Sequence, residues 1–180
     1  MTGQVFAVVG PSGVGKDTLL AGAVAASPAL HWARRCITRP ERPGGEPFIG
    51  LSQAVFAQKC AAGEFALHWQ AHGLSYGIAA AEFAPLAADL DVLFNGSRAA
   101  LAAELVRFPD LMVLRISAPS RVLAERLLAR GRESAAEVES RLLRASYALP
   151  EALPVIDIAN DASPAEGVAR LLAALQRARG

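Results

Sequence analysis

The chain is 180 residues long and 53% hydrophobic, the length of one domain with enough apolar content for a substantial core. Its 18 Lys+Arg against 17 Asp+Glu leave a formal charge of +1 with no block of like charge, which argues against a nucleic-acid arm or a polybasic membrane anchor. No apolar run approaches the ~20 residues that cross a bilayer, the start lacks the basic region of a signal peptide, and Cys36 and Cys60 are too few for a disulfide framework, so a soluble cytoplasmic domain is expected.

Val5 to Val9 is a short β-branched run that stops at Gly10, the pattern of a buried strand. Residues 10–15 are rich in Gly, Pro and Ser, and Lys16 to Ala26 has helical composition without a breaker. Two regions then depart from the α/β rhythm. Thr38 to Ser52 is rich in proline and glycine and reads as a loop. Residues 65–78 read as two strands around His72-Gly73, an antiparallel hairpin inserted into the frame. Short apolar runs at residues 92–94, 111–116 and 155–158 are the next strand candidates. Helical stretches fall at about residues 98–107, 119–129, 134–149 and 163–179, the last with Asp161-Ala162-Ser163 as a cap. Strands alternating with helices predict a parallel sheet covered on both faces.

The segment Gly10-Pro11-Ser12-Gly13-Val14-Gly15-Lys16-Asp17-Thr18 lies between the first strand and the first helix. G-x-x-x-x-G-K wraps a phosphate in inward-facing backbone N–H groups, and the lysine reaches the β and γ phosphates. With 15 Gly and 2 Lys in 180 residues, roughly 0.013 matches are expected by chance. The signal is strong. The residue after Lys16 is Asp17 rather than Ser or Thr, with Thr18 one place later. Thr18 is therefore a candidate for the hydroxyl near a metal or phosphate. Asp17 is a candidate to hold a metal-bound water, or simply charge that suits a helix N-terminus.

Sixteen of the eighteen cations are arginines, so a single Arg says little. Arg34, Arg35, Arg39 and Arg42 nevertheless fall within nine residues, and guanidinium forks suit phosphate oxygens. A second group, Arg126, Arg130, Arg132, Arg141 and Arg144, surrounds the break at Gly131. It suggests a lid at about residues 126–144 that closes arginines over a transferring phosphoryl group. Arg130 and Arg141 are the lid candidates, while Arg132 and Arg144 read as surface pairs. His31 reads as incidental, and His68 and His72 have no metal-ligand spacing.

These segments, with Asn95-Gly96-Ser97-Arg98 and Asn160-Asp161, resemble the guanylate kinase-like P-loop kinases over nearly the whole chain. The resemblance implies one domain over residues 1–180 with a P-loop NTPase-type sheet, an inserted acceptor lobe at about 35–80 and a short Arg-bearing lid. It assigns acceptor contacts to Arg39, Arg42 and Tyr76. The glutamate that reads guanine falls at Leu67, a base-contacting hydroxyl is lost near Ile78, and a serine becomes Arg35. A tyrosine of the phosphate cage falls at Phe48. Phosphate-binding groups remain while base-reading groups become apolar or cationic.

Within the family the chain is most similar to the branch whose acceptor is ribose 1,5-bisphosphate. The reaction implied is ATP-dependent transfer to that sugar, giving 5-phosphoribosyl 1-diphosphate. Lys16, Arg130 and Arg141 would be catalytic. Gly10 to Thr18 would hold ATP with Mg²⁺, and Arg35, Arg39, Arg42, Tyr76 and Asn95 would hold the acceptor. Small molecules are the expected partners, with no nucleic acid and no membrane. A nucleoside monophosphate kinase of altered specificity is the alternative reading. A non-catalytic binding module is a third, against which the intact phosphate loop argues.

Overall fold

The computed structural model describes residues 3–41, 46–98, 100–129 and 153–179. Its main sheet has five parallel strands: β1 (Val5–Val9), β2 (Leu30–Trp32), β7 (Asp91–Asn95), β8 (Met112–Ser117) and β9 (Val155–Ala159), in the order β2-β7-β1-β8-β9. All five residues of β1 are buried, as its unbroken apolar run requires of a strand covered on both faces. Alternate side chains of β1 enter different cores. Phe6 and Val8 pack with Leu19 and Leu20 of α1 (Lys16–Ala26) and with Leu171 and Leu175 of α5 (Pro164–Arg179). Val5, Ala7 and Val9 face the other way, toward Leu101 of α3 (Leu101–Arg107) and Phe83 of a 3-10 helix (Ala80–Ala88). Helix α4 (Ser120–Ala129) adds Leu123 to the first core.

Between β2 and the 3-10 helix the chain builds a second sheet, ordered β4-β3-β6-β5, from β3 (Arg35–Ile37), β4 (Phe48–Gly50), β5 (Phe65–Ala71) and β6 (Leu74–Ala79). The β5–β6 hairpin turns at His72-Gly73, both with positive φ, where the sequence places it. The loop expected over residues 38–52 needs correction. It contains β4, which pairs in parallel with β3 at Arg35↔Phe48 and Ile37↔Gly50. Three residues give no alternation to read, so this strand exists only through its partner. Helix α2 (Gln53–Ala61) follows, capped by the Ser52 side chain accepting from the Val55 amide at 3.2 Å. No helix among the described residues is long and apolar enough to cross a membrane.

Candidate active site

The loop from β1 to α1 emerges at the carboxyl end of the central strand, where parallel sheets hold their ligands. Gly13 and Gly15 have φ of 83° and 94°, and a Cβ on Gly15 would stand 2.7 Å from the Asn160 amide nitrogen. Lys16 folds back over the loop, its Nζ donating to the carbonyls of Gly10 at 2.9 Å and Pro11 at 3.1 Å. Burial lowers its pKa from 10.5 to about 8, against the opposite pull of Asp17. A partly desolvated cation beside a helix N-terminus is a seat for phosphate oxygens.

Two residues brace this loop from the far end of the chain. The Asn160 side-chain amide donates to the Val14 carbonyl at 2.7 Å. Arg126 Nη1 donates to the same carbonyl at 3.2 Å and to the Asn160 carbonyl at 2.9 Å. Arg126 belongs to the arginine group from which the sequence suggests a lid. Both residues reach the loop because α4 and the end of β9 converge behind Val14. Asp161 pairs with Arg170 at 2.7 Å.

Asn95 is 1% exposed, and its Nδ2 donates to Asp17 Oδ1 at 3.0 Å, which ties the end of β7 to the start of α1. Thr18 is exposed in the first turn of α1. Its hydroxyl and the Asp17 carboxylate are hard oxygen donors next to Lys16, of the kind Mg²⁺ takes. Among the described residues no cluster of three or more His, Cys, Asp or Glu could hold a metal by itself. His31 is not incidental, since its Nε2 lies 2.8 Å from Glu82 Oε2.

The second sheet supplies the opposite wall. Arg35 pairs with Ile78 and Ile37 with Tyr76, while Leu67 and Trp69 oppose the same two β6 residues. Directly paired residues share a face, so Arg35, Tyr76 and Trp69 lie on the side whose Leu67 and Ile78 are buried in the core. Arg35 grips Glu46 with two donors, Nε to Oε1 at 2.7 Å and Nη2 to Oε2. Its guanidinium sits 5.1 Å from the Tyr76 ring centre and 6.0 Å from that of Trp69, and those rings stack in parallel at 5.5 Å. Glu46 escapes sequence reasoning entirely, because no spacing marks a glutamate eleven residues after its arginine. Arg39 lies 4.6 Å over the Phe48 ring. Arg42, Arg130, Arg132, Arg141 and Arg144 fall outside the described residues.

No family model matches the chain. It is 46% identical to the ribose 1,5-bisphosphate phosphokinase of Ruegeria, over 98% of this chain and 94% of that protein. The chain belongs to the ribose 1,5-bisphosphate phosphokinase family. A member from Desulfomicrobium baculatum is 44% identical over 91% of the chain. The bifunctional ribose 1,5-bisphosphokinase-thymidine phosphorylase of Azorhizobium caulinodans is 48% identical, and there the chain spans only 26% of the longer protein. This phosphokinase chain has the fold of guanylate kinase: the enzyme from Anaplasma phagocytophilum superposes with a TM-score of 0.66 at 18% identity, over 98% of this chain and 86% of that one.

Proposed function

We propose that this chain transfers the γ-phosphoryl group of ATP to a phosphate oxygen of ribose 1,5-bisphosphate, producing 5-phosphoribosyl 1-diphosphate. The observation that carries this reading is the Lys16 phosphate loop together with a second-sheet face that carries Arg35, Tyr76 and Trp69 beside the apolar Leu67 and Ile78. One side suits the triphosphate of the donor. The other suits an anionic acceptor, and it carries Leu67 and Ile78 where the resemblance puts the base-reading glutamate and hydroxyl. The acceptor oxygen is already anionic, so positioning and charge neutralisation do the chemistry without a strong general base.

Lys16 and the loop amides hold the donor phosphates, and Asn160 with Arg126 keeps the loop in shape. Arg39, Arg42 and Tyr76 place the acceptor, and Arg130 with Arg141 closes over the transferring group. Thr18 and Asp17 are the residues that would hold Mg²⁺, which when bound offsets charge on the β and γ oxygens. The test is to supply purified protein with Mg-ATP and either ribose 1,5-bisphosphate or GMP, following ADP and phosphorylated product. Transfer to the bisphosphate with GMP far behind is expected. Equal or better transfer to GMP would make the protein a guanylate kinase of altered site.

A further inference from the structure

Arg35 and Glu46 are enclosed together, their side chains 15% and 6% exposed. An ion pair withdrawn from water in this way recovers its desolvation cost only with good geometry, and is weak evidence for stability as such. The paired edge of the guanidinium is neutralised by Glu46, and one flank is covered by the Tyr76 and Trp69 rings. The remaining N–H groups have no acceptor among the described residues. Strand pairing puts the guanidinium on the same face of the second sheet as Tyr76, the residue that the resemblance assigns to the acceptor. A planar donor fork fixed from behind by a carboxylate is suited to bidentate capture of a phosphate.

We propose that Arg35, clamped by Glu46 against the Trp69–Tyr76 stack, binds the second phosphate of the bisphosphate acceptor, the one that does not receive the phosphoryl group. Glu46 is the positioning residue of this subsite. The inference rests on the bisphosphate acceptor proposed above. Two features separate this phosphate from the reacting one. Glu46 already offsets the charge of Arg35, so the pair orients an anion but adds little where charge is redistributed during transfer. Among the described residues Arg39 has no such carboxylate and rests on Phe48, which leaves its charge for the reacting group. A phosphate held equally in ground and transition states is read in KM rather than kcat. Beside Arg35, buried Leu67 and Ile78 would leave the polar edge of a nucleobase unpaired, so the same cluster selects against nucleotides.

The experiment compares ribose 1,5-bisphosphate with ribose 1-phosphate, which lacks the second phosphate. In Arg35→Ala, KM for the bisphosphate should rise about 10- to 100-fold, kcat should stay within about threefold, and ribose 1-phosphate should be used as by the wild type. Glu46→Gln should move KM in the same direction by a smaller factor, and Glu46→Asp should recover part of it. The double variant Arg35→Ala/Glu46→Ala leaves neither charge orphaned, so it guards against a folding defect and should reproduce the Arg35→Ala kinetics with wild-type ATP binding. Equal losses on both acceptors, or a fall confined to kcat, would assign Arg35 to the reacting phosphate and overturn the inference. Wild-type protein inert toward the bisphosphate would remove the functional reading and this subsite together. Active wild type with an unaffected Arg35→Ala would remove the subsite alone.

Discussion

At the scale of single residues, Lys16 is a charge kept where charge is costly. Its folded pKa of about 8 lies below the 10.5 of an exposed lysine. Between those values the unfolded chain binds a proton that the folded chain does not, so stability rises with pH across that window; below it the cost is about 3 kcal/mol. A docked triphosphate supplies the missing counter-charge and raises the pKa again. ATP binding at pH 8.5 should therefore take up protons, seen as a calorimetric enthalpy that depends on the buffer's ionisation enthalpy, with the dependence fading near pH 6.5. A buffer-independent enthalpy at pH 8.5 would mean Lys16 is fully charged in the empty loop. Lys16→Ala should abolish transfer while circular dichroism and Tm stay at or above wild type, and unchanged turnover would sink the phosphate-loop mechanism.

At the scale of elements, the active loop is shaped by what stands behind it. Val14 is fully buried, and its carbonyl is held by Asn160 and Arg126. Asn160→Ala removes one of the two donors to that carbonyl, worth about 0.5–1.5 kcal/mol with Arg126 still in place. KM for ATP should rise about tenfold, with the acceptor KM unchanged; a shift in the acceptor KM alone would show that the brace does not act through the loop. On the other side of the sheet, α3 buries Glu104, 1% exposed, beneath the turn after β7. Burial raises its pKa from 4.5 to about 7, and the Ser97 backbone and the Arg35 charge oppose this only in part. From pH 4.5 to 7 the folded state holds a proton that the unfolded chain releases, so stability falls with rising pH and levels off above 7, about 3 kcal/mol lower. Glu104→Gln should flatten urea-unfolding stability over that range and exceed wild type at pH 8. A retained slope would place the titration elsewhere.

Across the whole molecule, the two ends of the described chain are joined under the sheet, opposite the active edge. Asp91, at the start of β7, accepts from the Gln4 amide at 2.9 Å and from Arg179 Nε at 2.9 Å, while its side chain is 2% exposed. One carboxylate thus ties β7 to the residue before β1 and to the last turn of α5. Asp91→Ala should lower unfolding free energy by about 1–3 kcal/mol, read from urea titration, with kcat near wild type because the loop lies at the other end of the strands. A large fall in kcat without a stability change would contradict that separation.

How much the sequence carried divides along one physical line. Wherever the determinant is a short-range pattern, the residues alone sufficed. The Gly10, Gly15 and Lys16 spacing specifies the loop, the apolar runs specify β1, β7, β8 and β9, and His72-Gly73 specifies the hairpin. Family resemblance extended this to the phosphokinase family. Tertiary structure decided what depends on partners distant in sequence. Strand β4 exists because β3 offers it an edge, Glu46 matters because the second sheet brings it onto Arg35, and Asn160 turns to Val14 across 146 residues. Backbone turns and helices are local in origin, so composition and spacing encode them directly. Buried ion pairs and loop braces arise only once sheet order and burial bring remote groups together, and no spacing along the chain records that meeting.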